Sequence, residues 1–137
     1  MKRILVVEDD SAIRKLVLRV LAREGYEIEA VSNGRDAIAC MEDNAYDAIV
    51  LDLMMPHVSG FDVLTRLRRE KPDLLKKLIV ITAAAERDTR EIREGDVCAI
   101  VRKPFELEEL IQIVRRCAGE TEPIAGIDPA GPLTQPS

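Results

Sequence analysis

No apolar run in this 137-residue chain approaches the roughly 20 residues that a membrane-crossing helix needs. The start of the chain lacks a signal-peptide pattern as well. Met1-Lys2-Arg3 leads into only four apolar residues, Ile4 to Val7, before Glu8-Asp9-Asp10. A cytoplasmic location is therefore the expectation. There is no basic excess either: the formal net charge is −5, which gives no electrostatic footprint for nucleic acid. Cysteine is scarce and odd in number. Cys40, Cys98 and Cys117 are far apart and set among apolar neighbours, so they read as reduced core thiols rather than a disulfide framework or a zinc site. Histidine occurs once, at His57, which reads as a solvated loop residue. Residues 119–137 have no Lys or Arg, but they hold Glu120, Glu122, Asp128 and four of the seven prolines. That acidic Pro/Gly-rich stretch shows no apolar periodicity and reads as a disordered tail after a single domain over 1–118.

What is present is alternation between short apolar runs and amphipathic segments. Ile4-Leu5-Val6-Val7, Ala48-Ile49-Val50-Leu51 and Leu78-Ile79-Val80-Ile81 are solid apolar runs, the pattern of strands covered on both faces, and Ala99-Ile100-Val101 reads as a fifth strand. Glu27 to Val31 alternates charged and apolar residues, which predicts a half-exposed strand near an edge. Between these runs, helical spacing puts Ile13, Leu16, Val17, Val20 and Leu21 on one face, then Ala37, Ile38 and Met41, then Phe61, Leu64 and Leu67. Gly25 ends the first of these helices, Ser32-Asn33-Gly34 opens the second, and Lys71-Pro72 closes the third. From Ala83 to Asp96 a fourth helix is expected with weak apolar anchoring, Ile92 being almost its only large apolar residue. Leu107, Leu110, Ile111, Val114 and Cys117 mark the inner face of a fifth. Five strands alternating with five helices predict an α/β doubly wound parallel sheet of the flavodoxin-like kind, in strand order 2-1-3-4-5.

The ends of four strands carry the chemistry. Glu8 and Asp9 follow the first strand, Asp52 the third, Thr82 the fourth and Lys103 the fifth. In this topology those ends are neighbours on one crevice, where open parallel sheets bind their ligands. Three close carboxylates raise one another's pKa unless a cation neutralises them. Oxygen donors without His or Cys suit a hard ion, Mg²⁺ above all. A carboxylate beside such an ion and an ammonium has the parts for phosphoryl transfer. Asp52 would be the nucleophile, Lys103 would offset phosphoryl charge, and Thr82 would donate its hydroxyl.

Ile4-Leu5-Val6-Val7-Glu8-Asp9, Asp52-Leu53-Met54-Met55-Pro56 with Gly60, Ile81-Thr82-Ala83 and Lys103-Pro104-Phe105 together resemble the receiver domain of two-component response regulators, the CheY-like superfamily. The resemblance covers about residues 2–118. It implies that Asp52 accepts a phosphoryl group from a phosphohistidine on a sensor histidine kinase or a histidine phosphotransfer protein. Asp9 would ligate Mg²⁺ directly, Glu8 through water, and Met54 through its backbone carbonyl. Asp10, one place beyond the acidic pair, reads as a helix cap. The product would be a phosphorylation-driven switch in protein–protein contacts, not an enzyme acting on a separate substrate. It would belong either to a stand-alone regulator or to the receiver part of a longer one. Homodimerisation would use the face from the fourth helix to the fifth, and the downstream partner is open.

The chain departs from the family pattern at three points. Ile100 stands where the family places a Tyr or Phe three positions before the Lys, and the Thr82-to-Lys103 interval is about one residue short. Met54 and Ala84, two positions after Asp52 and Thr82, cannot orient an attacking water by hydrogen bonding, which implies slow self-dephosphorylation. A Mg²⁺-dependent aspartyl-phosphate phosphohydrolase is the enzymatic alternative, but such enzymes commonly carry an Asp where this chain has Met54. A receiver-like scaffold that is never phosphorylated is the third reading.

Overall fold

In a computed structural model of the chain, residues 1–55, 60–83 and 96–119 are described. The apolar runs form strands β1 (Arg3–Val7), β2 (Glu27–Val31), β3 (Ala48–Asp52), β4 (Leu78–Thr82) and β5 (Ala99–Arg102). They make one sheet in the order β2-β1-β3-β4-β5, every neighbouring pair parallel, as the sequence predicts. Every residue of β3 and β4 is buried, whereas β2 at the edge is exposed or half-buried throughout. The helices are α1 (Ser11–Arg23), α2 (Gly34–Asp43), α3 (Gly60–Glu70) and α4 (Leu107–Cys117). The last of these is the fifth helix of the sequence reading. The expected fourth helix falls largely on 84–95, and the expected tail on 120–137, both outside the described residues. The fourth-helix part of the expected dimer face, which runs from the fourth helix to the fifth, shares that position.

Two apolar layers sandwich the sheet because alternate strand side chains point to opposite faces. Leu5, Val7, Ile49, Leu51, Leu78 and Val80 pack under α2 and α3, against Met41, Val63, Leu64 and Leu67. Ile4, Val6, Val50, Ile79, Ile81 and Val101 pack on the other face under α1 and α4, against Val17, Leu21, Leu110, Ile111 and Val114. The caps act where the sequence places them. Asp10 accepts the N–H groups of Ala12 and Ile13, Asn33 accepts that of Asp36, and Gly25 leaves α1 at φ +93°. A short 3-10 turn over Pro72–Lys77, which periodicity does not reveal, leads into β4.

Two expectations fail. Leu16 is 45% exposed, because the sheet covers only the arc of α1 centred on Val17 and Leu21. The cysteines are not all reduced thiols: Cys98 and Cys117 form a disulfide, with Cα atoms 6.0 Å apart, and only Cys40 is free. Linear spacing hides this pairing. A helix that returns antiparallel to the strand before it brings its last residue back to the strand's start.

The amino edge of the sheet closes its own polar groups. The Arg3 backbone N–H donates to Asp47 Oδ2 at 2.8 Å, and the Arg3 guanidinium lies 5.2 Å from the Tyr46 ring centroid. The buried Tyr46 hydroxyl donates to Glu29, which Arg3 also faces at 3.7 Å.

At the opposite edge, α3 begins almost in contact with the end of β3. A Cβ at Gly60 would lie 2.4 Å from both the Asp52 carbonyl oxygen and Leu53 Cα, atoms that cannot move aside. Gly60→Ala should therefore destabilise the fold by about 1–3 kcal/mol through overpacking. Urea unfolding of the two proteins measures the difference.

Candidate functional site

Four side chains meet at the carboxyl edge, each set by the element that ends there. β3 delivers Asp52 at 1% exposure, and β1 is followed at once by Glu8 at 4%. Asp9 is next and exposed. Lys103 is the first residue after β5, and its backbone N–H donates to the Thr82 carbonyl at 2.9 Å, which ties the Lys loop to the end of β4. From there Nζ reaches Asp52 Oδ2 at 3.2 Å and Glu8 Oε1 at 3.9 Å. The other Asp52 oxygen, Oδ1, accepts the Met54 N–H at 2.9 Å. Glu8 Oε2 accepts the Asp10 N–H at 3.1 Å.

The structure places the residues named from sequence as follows. Glu8, Asp9, Asp52 and Lys103 are brought together. Thr82 ends β4, fully buried, one place beyond the register partner of Asp52. The backbone of Met54 turns in to Asp52 while the residue as a whole is 54% exposed. Ala84, Pro56 and His57 lie outside the described residues. Ile100 is half-buried against the core layer under α2 and α3, where it packs as an ordinary aliphatic residue. Sequence reasoning missed Arg14, whose guanidinium donates to the carbonyls of Glu8 at 2.9 Å and Asp9 at 3.3 Å. Its place in the first turn of α1 is the only signal that could have found it, and basic residues there are common on surface helices.

The charges do not balance. One carboxylate oxygen from each of Glu8, Asp9 and Asp52 lies within 4.8 Å of the others, and among the described residues Lys103 is the cation that pairs with Asp52 and Glu8. Burial pushes the Glu8 carboxyl up to about 7; the Asp10 N–H and Lys103 pull it down, while Asp52 adds to the rise. A buried pair of acids beside an exposed third is a poor arrangement for the protein alone and a good one for a hard dication. The donors are all oxygen, and the exposed Asp9 leaves an approach from water. The residues fit Mg²⁺.

The family model for the response regulator receiver domain matches residues 4–115. The chain belongs to that family. Among relatives of this receiver, the transcriptional regulatory protein TcrA of Mycobacterium tuberculosis is 39% identical over 114 residues, which are 82% of this chain and 44% of that one. The response regulator MprA of Mycobacterium sp. strain KMS is 38% identical over 130 residues, 92% of this chain and 54% of that one. The chain thus spans about half the length of the curated relatives it matches. Among solved structures, the Francisella response regulator 1452 receiver domain superposes with a TM-score of 0.78 at 26% identity, covering 89% of this chain and all of that one. The response regulator TrrA of Thermotoga maritima, solved in complex with Mg²⁺-BeF, gives 0.73 at 36% identity and covers 85% of this chain and 99% of that one.

The burial of Glu8 has a measurable consequence. The Glu8 carboxyl is raised in the folded receiver, from 4.5 to about 7, so the fold favours its neutral form. With divalent ions chelated, stability should be highest below pH 4.5 as far as Glu8 is concerned, and fall as the pH rises to 7. The loss should be on the order of 1–3 kcal/mol. Glu8→Gln should flatten that slope in urea unfolding across the same pH range. An equal slope in both proteins would place the strain elsewhere.

Proposed function

We propose that this receiver is a phosphorylation-activated switch in which Asp52 is the phosphoacceptor. The observation that carries the reading is the 3.2 Å pairing of a 1%-exposed Asp52 with Lys103, beside two further acids at the sheet's carboxyl edge. The Mg²⁺-BeF complex of TrrA, at 36% identity, supports it. In this chain Asp9, Asp52 and the Met54 backbone carbonyl would hold Mg²⁺, with Glu8 acting through water. When bound, the ion offsets the charge that the acids and the incoming phosphoryl oxygens bring together.

The chain's own residues do the rest. A carboxylate oxygen of Asp52 forms the new O–P bond as the N–P bond of a donor phosphohistidine breaks, and the imidazole leaves with the bonding pair and takes a proton. The Met54 N–H keeps Asp52 oriented through Oδ1. Lys103 shifts its pairing from the free carboxylate to the phosphoryl oxygens, and the Thr82 hydroxyl donates to one of them. Those two interactions exist only in the phosphoform, so they bias the population between two conformations and with it the affinity for a downstream protein. The donor is a sensor histidine kinase or a histidine phosphotransfer protein, and the site of action is the cytoplasm. Among the described residues no helix is long and apolar enough to cross a membrane. Residues 1–118 would be the switch itself, carried either alone or within a longer regulator.

Incubation with acetyl phosphate, followed by intact-mass measurement, tests the acceptor. A single phosphoryl adduct should form with Mg²⁺, and neither Asp52→Asn nor the chelated protein should show it. Labelling that persists in Asp52→Asn would remove Asp52 from this role.

The lifetime of the adduct follows from Met54, which offers no side-chain hydrogen bond to an attacking water. Decay of the purified phosphoform should be slow, and Met54→Asn should speed it several-fold. A variant that decays no faster would show that this position does not limit hydrolysis.

A further inference from the structure

The Cys98–Cys117 disulfide has no part in the phosphoacceptor site. It lies at the sheet's other edge. Cys98 stands just before β5, Cys117 is the last residue of α4, and the positions are 19 apart in sequence, so the bond closes a loop that holds β5, Lys103 and α4. Both cysteines are half-buried, within reach of a small thiol. Each is also anchored without the bond. The Cys98 N–H donates to the Leu78 carbonyl at 2.9 Å, and Val97 before it is 4% exposed. On α4, Leu110, Ile111 and Val114 are buried in the core and Arg115 pairs with Glu24 at the end of α1. Cleaving the bond therefore leaves strand and helix docked. What it removes is the covalent constraint on the last turn of α4, which the core packing of Val114 and Ala118 otherwise holds, and through which the chain passes to residue 119.

We propose that Cys98 and Cys117 form a reversible two-electron redox site that sets the rigidity of the α4 C-terminus independently of Asp52. In the reducing direction a thiolate of a dithiol attacks one cystine sulfur. The S–S bond breaks, a mixed disulfide forms, and the released cysteine thiolate takes a proton. The reductant's second thiol then displaces the other cysteine, so the cystine gains two electrons and two protons while the reductant becomes a disulfide. In the oxidising direction hydrogen peroxide converts one thiol to a sulfenic acid with release of water. The other thiol condenses with it and releases a second water.

The test uses the full chain in native buffer with dithiothreitol and no denaturant. Alkylation is mapped by mass spectrometry, and deuterium exchange is followed over residues 114–119. Reduction should expose Cys98 and Cys117 together, raise exchange in that turn, and lower the thermal midpoint by about 10 °C through the lost loop constraint. Peroxide should reverse all three changes, and Cys40 alkylation serves as the internal reference. Phosphoryl incorporation from acetyl phosphate should be the same in both redox forms. Cys117→Ser should behave as the reduced protein whatever reagent is added; if that variant does not fold, the wild-type arms still decide. A disulfide that resists dithiothreitol until the protein is denatured would overturn the proposal, and so would equal exchange in the two forms. Alkylation and exchange do not depend on Asp52 chemistry, so failure here is distinct from failure of the phosphoacceptor reading.

Discussion

The receiver depends on one awkward contact, a buried carboxylate held against a lysine that also faces a second acid. Asp52 ends the central strand of a sheet covered on both faces, where water cannot solvate it. Lys103 at 3.2 Å offsets that cost for Asp52, but at 3.9 Å from Glu8 it cannot do the same for both acids. The clustered negative charge is what would draw a dication to the crevice. In the proposed switch, the same ammonium would meet the phosphoryl oxygens. The rest of the structure can be seen as support for this contact. Thr82 tethers the Lys loop through its carbonyl, Gly60 lets α3 close on the end of β3, and Arg14 holds the acidic loop by its carbonyls.

The two edges of the sheet show opposite treatment of polar groups. At the amino edge Arg3, Tyr46, Glu29 and Asp47 pair with one another. At the carboxyl edge, among the described residues, three acids cluster around Lys103, while Arg14 is turned to the loop carbonyls. The disulfide lies with the amino edge, far along the chain's return path from Asp52. The acid cluster and the disulfide thus lie at opposite edges of the same sheet. A change in one can leave the other intact.

Much of this was legible in the sequence because burial writes itself into short runs. The three solid apolar strands β1, β3 and β4, the alternating β2, the Ser32-Asn33-Gly34 helix start and the Gly25 stop each follow from local rules, and right-handed crossovers then bring the strand ends together. Glu8, Asp9, Asp52 and Lys103 could be nominated from that topology alone. What escaped depends on partners distant in sequence. Leu16 has the spacing of a core residue, but the sheet does not reach it. Cys98 and Cys117 looked unrelated because their proximity exists only after α4 has folded back. Arg14 points at carbonyls, which leave no trace in side-chain patterning.

The most direct test of the central claim is thermal unfolding of the metal-free protein against increasing Mg²⁺, for the wild type and for Asp9→Asn. Binding to the folded state alone raises stability by RT ln(1 + [L]/Kd), about 2.7 kcal/mol at a hundredfold excess over Kd. The acid cluster predicts a saturable rise in midpoint for the wild type and little or none for Asp9→Asn. The same small rise in both proteins would mean that the three carboxylates do not form a cation site.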